Sequence, residues 1–294
     1  MRLFRSFAGI AVCIAAAVVP VLAQSSNDPQ PQWQDLADEP SRSQLSGYEM
    51  LRFASPGEKT VRRSFIFPND AGDAEYGVDV SHHNGVVDWT ELASRNVKFA
   101  YIKATQGTNF RDPTFTRNWA GAAVMRRGAY HFLSARAGTG KQQAVSFLAL
   151  LQATGGLRPE DLAPVLDMEW DMVTASGNPT DRWASFSPDQ IAVEATAWLT
   201  EVERVTGRRP IIYTAASWWN PRLKSNTSLR RYTHWIADYR LSSIGGGAPK
   251  AVSGIGHVAW QFTDVGRVPG ALNKVDVNRI RSGGIDSLSG KPSP

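Results

Sequence analysis

The amino-acid sequence predicts an α/β fold, a (β/α) barrel of about eight strands whose second half is irregular. Two observations carry this. From Tyr76 onward, short apolar runs alternate with helix-like stretches; after Thr214 the helical intervals shorten, which favours antiparallel strands in that half. The chain divides accordingly into an address segment (1–23), a linker or extended arm (24–75), the barrel domain (76–283) and a flexible tail (284–294). About 200 residues of globular pattern are enough for one large domain with a single core.

Taken in order, the candidate strands are Tyr76–Val80, Phe99–Ala104, Gly128–Phe132, Pro164–Met168, Pro210–Thr214, His234–Ala237, Val258–Phe262 and Val275–Val277. Helical patterns fill the early intervals, over Trp89–Arg95, Pro113–Arg126, Gly140–Ala153 and Pro188–Val205. The last has the clearest start, with Ser187 as N-cap, Pro188 at the first helical position and Gln190 completing a capping box. Before Tyr76 the composition is rich in Ser, Pro, Gln and charge and reads as a linker, with a short extended arm around Arg62–Pro68.

Residues 1–23 read as a removable signal peptide. Arg2 and Arg5 precede an apolar run from Phe7 to Val21, and Val21-Leu22-Ala23 offers a small-residue cleavage site before Gln24. Export, to the periplasm or beyond, is therefore expected, with no stable membrane association after cleavage. Cys13 is the only cysteine and lies in this segment, which excludes disulfides and thiol chemistry from the mature chain. Removing two arginines lowers the formal charge from +5 to +3. That mild excess suits an anionic polymer but not the concentrated basic face of a nucleic-acid binder.

The chemistry is concentrated in Pro164-Val165-Leu166-Asp167-Met168-Glu169-Trp170. On an extended strand, side chains i and i+2 leave one face about 6.5–7 Å apart, so Asp167 and Glu169 aim at one point. Glycosidic cleavage uses such a pair: one carboxyl protonates the leaving oxygen and a second, about 5–9.5 Å away, stabilises the sugar centre or positions what attacks it. In barrels the reacting groups sit at the carboxyl ends of strands. That rule gathers Asp79, Lys103, Tyr130, Tyr213, Asp238, Trp260, Gln261 and Asp276 at the same mouth, with His82 as a further substrate contact from the loop after the first strand.

Each has a plainer reading. Asp79 before Ser81-His82-His83-Asn84 could cap a loop, Lys103 could serve an ion pair, and His131 could be a satisfied buried histidine. A phosphate loop at Gly138-Thr139-Gly140-Lys141 fails, because Ala135 and Gln142 stand where Gly and Ser or Thr belong. No G-x-S-x-G elbow occurs. Without histidines at ligand spacing, neither metal nor cofactor is expected.

An ordered set of segments resembles the glycoside hydrolase family 25 lysozymes. It comprises Tyr76–Gly85, Asp88-Trp89, Ile102–Gly107, Gly128–Phe132, Leu166–Glu169, Ile211–Thr214, Trp260–Thr263 and Val275–Asn278. The resemblance implies a flattened, modified barrel and an N-acetylmuramidase that cuts the β-1,4 bond between N-acetylmuramic acid and N-acetylglucosamine in peptidoglycan glycan strands, with net retention. By position, Glu169 looks like the general acid, with Asp167 beside it and Asp79 and Asp276 completing an acidic floor, while Tyr213, Trp260 and Gln261 would hold the sugar. One departure stands out: many members carry Glu where this chain has Gln106. Two alternatives accompany this reading, a chitin-type N-acetylhexosaminidase and a catalytically weak or inactive glycan-binding envelope protein on the same fold. A monomer is expected.

Overall fold

The computed structural model describes residues 32–35, 63–66, 75–95, 97–175, 178–223, 226–240, 247–252, 254–280 and 284–291. The expected signal segment lies outside them. The strands are β1 (Gln32–Asp35), β2 (Arg63–Ile66), β3 (Tyr76–Val80), β4 (Phe99–Gln106), β5 (Phe110–Arg111), β6 (Arg126–Phe132), β7 (Val165–Met168), β8 (Met172–Ala175), β9 (Asn178–Asp181), β10 (Ile211–Ala215), β11 (Thr233–Ala237), β12 (His257–Gly266) and β13 (Val275–Ile280). The helices are α1 (Trp89–Ser94), α2 (Phe115–Gly121), α3 (Gly140–Ala153), α4 (Pro188–Thr206) and α5 (Ala216–Leu223).

Eight strands close a mixed barrel in the order β3-β4-β6-β7-β10-β11-β12-β13. Neighbours run parallel from β3 round to β12, whereas β13 is antiparallel to both β12 and β3. The last of the shortened intervals in the second half has this cause: β12 reverses directly into β13 through a loop, with no crossover helix to force a parallel return. Outside the barrel, β1 pairs with β2, β5 extends β4, and β8–β9 form a hairpin after the fourth barrel strand.

Alternation along each strand separates two cores. Phe99, Tyr101, Val165, Ile211, Trp235, Ala259 and Ile280 pack together inside the barrel. Their sequence neighbours Ala100, Ile102, Leu166, Ile212, Ile236 and Trp260 join the larger outer cluster, which includes helix residues such as Phe147, Trp198 and Leu199. Large and small residues alternate across the interior, as a tapering barrel requires. Gly77 faces Phe99 across β3–β4 and Gly128 faces Tyr101 across β4–β6. A Cβ on Gly128 would lie 2.1 Å from the Tyr101 ring, itself held by a hydroxyl bond to the Ala163 carbonyl and by Trp235, at 5.1 Å between centroids. Gly128→Ala should therefore destabilise the fold by about 1–3 kcal/mol, read as a lowered urea midpoint.

Helix α4 begins with the expected capping box on Ser187 and Gln190 and ends at Gly207 in the left-handed region. Its Glu194 explains the failed phosphate loop. The Glu194 carboxylate accepts the backbone N–H groups of Thr139 and Gly140, at 3.0 and 2.7 Å, and that of Gly138 as well. The protein's own carboxylate thus fills the place of an anion at the start of α3.

Two expectations need correction, and one helix is new. The helix expected over Pro113–Arg126 is shorter, α2 followed by a 3-10 turn at Ala122–Val124, because Arg126 already belongs to β6. Helix α5 was not anticipated. The tail expected from 284 is docked as far as Lys291: Leu288 is fully buried in the inner core, and the carbonyls of Leu288 and Gly290 accept the N–H groups of Ala163 and Arg209. Among the described residues no helix is long and apolar enough to cross a membrane.

Two histidines are locked in the outer layer. His131 lies between Thr105 and Gln143, stacked on Trp198, and burial pushes its pKa down to about 3. His234 bonds the Tyr232 carbonyl and burial lowers its pKa to about 4. In the unfolded chain both take a proton near pH 6.5. Their contribution to stability is thus fully present above pH 6.5 and is lost as the pH falls towards 4 and 3, at up to about 1.4 kcal/mol per pH unit for each histidine. Denaturant titrations between pH 6.5 and 4.5 should show a shallower slope for His131→Gln than for the wild type.

Candidate active site

The acid pair sits where the spacing placed it. Asp167 is the third residue of β7, on the face that Val165 turns to the barrel interior, and Glu169 lies one residue past the strand; both are only 6% exposed. Strand register then sets the neighbours. Asp167 is flanked by Phe132 on β6 and Tyr213 on β10, and Asp276 on β13 stands directly opposite Asp79 on β3. Like charges opposed across two strands are unfavourable, and amide donors on Asp79 offset part of that cost.

Asp79 is held by a directed network. Its Oδ2 accepts the amide groups of Gln261 and Asn278, each at 2.8 Å. The amide oxygen of Gln261 accepts the Tyr213 hydroxyl at 2.6 Å and the Tyr239 hydroxyl, while that of Asn278 accepts the Trp235 indole N–H at 2.9 Å. A carboxylate only accepts, so it turns both amides the same way and the phenols and indole complete them. Tyr130 reports the convergence of the acids: burial first, then the charges of Asp79, Asp167, Asp276 and Asp112, push its pKa well above the usual tyrosine value. Its hydroxyl therefore stays protonated and can donate.

A family model described as glycosyl hydrolases family 25 matches residues 78–271. The chain belongs to this family. It is 34% identical over 233 residues to "Lysozyme M1" of Streptomyces globisporus, covering 77% of this chain and 72% of that protein. An "N,O-diacetylmuramidase" of Chalaropsis sp is 27% identical over 219 residues, 72% of this chain and 96% of that protein. Among solved structures, the bacterial lysozyme from Streptomyces coelicolor aligns with a TM-score of 0.64 at 31% identity, over 75% of this chain and 99% of that one.

In this family 25 glycoside hydrolase, the barrel brings Asp79, Lys103, Tyr130, Asp167, Tyr213, Gln261 and Asp276 to one inner face, with Glu169 one residue past the end of β7. It places the other expected residues differently. Trp260, adjacent to Gln261 on β12, belongs to the outer cluster, packs on Phe262 and donates its indole N–H to the Asp238 carbonyl. It supports the mouth from behind. The Asp238 carboxylate is engaged by Arg240, at 2.5 and 2.8 Å, and by the Lys250 backbone N–H, which ties the loop after β11. His82 lies on a 3-10 turn beyond β3, fixed by Asp112 through both its ring and its backbone N–H. Sequence reading gave Asn278 and Tyr239 no role in the site and took Trp235 as core or a sugar-stacking face. Parity held the signal, since Asn278 is two residues from Asp276 and Tyr239 two from Ala237. Among the described residues, no cluster of three or more His, Cys, Asp or Glu side chains could hold a metal.

Proposed function

We propose that this family 25 enzyme is an exported N-acetylmuramidase, hydrolysing the β-1,4 bond between N-acetylmuramic acid and N-acetylglucosamine in peptidoglycan with net retention. The observation that carries this reading is the buried Asp167–Glu169 pair at the carboxyl end of β7, in a barrel where the charges of Asp79, Asp167 and Asp276 converge on Tyr130. Its relatives, a lysozyme and an N,O-diacetylmuramidase, support the choice of substrate. Residues 1–23 support export.

In this reading Glu169 gives its proton to the glycosidic oxygen as the bond breaks. Asp167 stabilises the positive charge that grows at the sugar centre and orients the substrate's N-acetyl group, whose participation would account for retention. Asp79 and Asp276 extend the negative field under that centre, while Tyr213 and Gln261 hold the sugar. Gln106, at the end of β4, cannot titrate and acts by hydrogen bonding, accepting from Lys103 at 2.9 Å. The test compares release of reducing ends from purified peptidoglycan and from chitin. Release from peptidoglycan alone is expected. Equal release from chitin, or binding to insoluble wall without release, would contradict the reading.

A further inference from the structure

Beside the acidic floor lies a cavity of opposite character. It has a volume of about 520 Å³, and its lining includes His82, His83, Lys103, Gln106, Arg136 and Arg182 but no Asp or Glu. Lys103 joins the two regions: it lies in register with Tyr130 on β6, and its ammonium sits 5.1 Å from the centre of the Phe132 ring, beside Asp167.

The wall is built rather than incidental. Asp112, with a fully buried side chain, accepts both the ring Nδ1 and the backbone N–H of His82, at 2.8 and 2.9 Å. Asp171, also buried, takes the Arg182 guanidinium at 2.5 Å on one oxygen and the Ala135 N–H at 2.6 Å on the other, so one carboxylate fixes two sides of the cavity. Lys103 is positioned by the Gln106 amide. The Arg136 guanidinium is exposed and has no acidic partner among the described residues. A carboxylate at position 106 would face the Lys103 ammonium and bring an acid into this wall; the amide keeps the wall free of one.

We infer that this cavity is an anion subsite that receives a carboxylate carried on the lactyl branch of the muramic acid, so that the enzyme favours glycan bearing charged peptide stems. The inference rests on the muramidase reading and extends it. Carboxylates are repelled by the floor of Asp79, Asp167 and Asp276, and the adjoining cations offer charge-assisted hydrogen bonds instead. The volume suits a short peptide branch, since pockets of about 300–1,000 Å³ enclose ligands of that size. Neutral chitin has nothing to place there.

Three glycans test it: one with carboxylate-bearing stems, one with the stem carboxyls converted to amides, and one with the stems removed, which leaves the lactyl carboxylate. The wild type should cut the first about tenfold more efficiently in kcat/KM than the second, the factor of a 1.4 kcal/mol interaction. Arg136→Gln and Gln106→Glu should each shrink that ratio to about two- or threefold. If the third glycan is cut as well as the first, the subsite accepts a carboxylate on the branch whether it is the lactyl one or one of the stem; if it is cut as poorly as the second, it takes the stem carboxylates alone. Equal rates on the first two glycans, or a ratio kept by both variants, would overturn the subsite while leaving the muramidase reading intact. Failure of the wild type to cut any of the three would overturn that reading itself.

Discussion

Glu169→Gln should lower kcat on purified peptidoglycan by about a thousandfold, within the range that one positioned acid contributes. Gln keeps the size and hydrogen-bonding reach of the side chain and has no proton to give. The position is 6% exposed at the end of β7, beside Asp167, so an isosteric change disturbs neither core. Unchanged circular dichroism and a melting temperature within a few degrees of wild type should accompany the loss. A folded variant that kept more than a tenth of the turnover would remove Glu169 from the donor role.

Asp79 carries the second large effect, and two substitutions separate its charge from its hydrogen bonds. Asp79→Asn can still offer one oxygen to Gln261 and Asn278, so the network of Tyr213, Tyr239 and Trp235 keeps its direction. The fold should survive with near-wild-type stability, and kcat should fall about a hundredfold through lost electrostatic stabilisation of the transition state. Asp79→Ala leaves two buried amide groups without their acceptor and should also cost about 2–4 kcal/mol of stability. Full activity in Asp79→Asn would show that the aspartate acts as a hydrogen-bond anchor alone.

How far the sequence reached depended on which forces were local. The eight barrel strands and the helices α3 and α4 were legible because apolar period and capping chemistry are written within a few residues; Ser187-Pro188-Asp189-Gln190 is one such signal. The hairpin β8–β9 was not. Pro179 argues against a strand, and its connection lacks the Asn-Gly or Asp-Gly pair that marks a tight hairpin. Helix α5 follows β10 without an intervening cap and carries Pro221 inside, so packing of Trp218 and Trp219 rather than propensity holds it. The docked Leu288 depends on the inner core it joins, which no local pattern announces.

The site was legible to the same degree. Spacing found Asp167 and Glu169, and the strand-end rule found Asp79, Tyr213, Gln261 and Asp276. The rule that neighbours on a strand face opposite ways, applied strictly, separates Trp260 from Gln261 and adds Asn278. The partnering of Asp238 with the Lys250 N–H across 12 residues, and of His82 with Asp112 across 30, needed the fold. The cationic cavity likewise draws its wall from β4, the loop after β6 and the turn after β9, segments far apart in the chain.

The most direct test of the account is mass spectrometry of borohydride-reduced fragments after digestion of purified peptidoglycan. Muramitol at every new reducing end is predicted, because the bond cut is the one on the muramic acid side. Glucosaminitol at those ends would contradict the account.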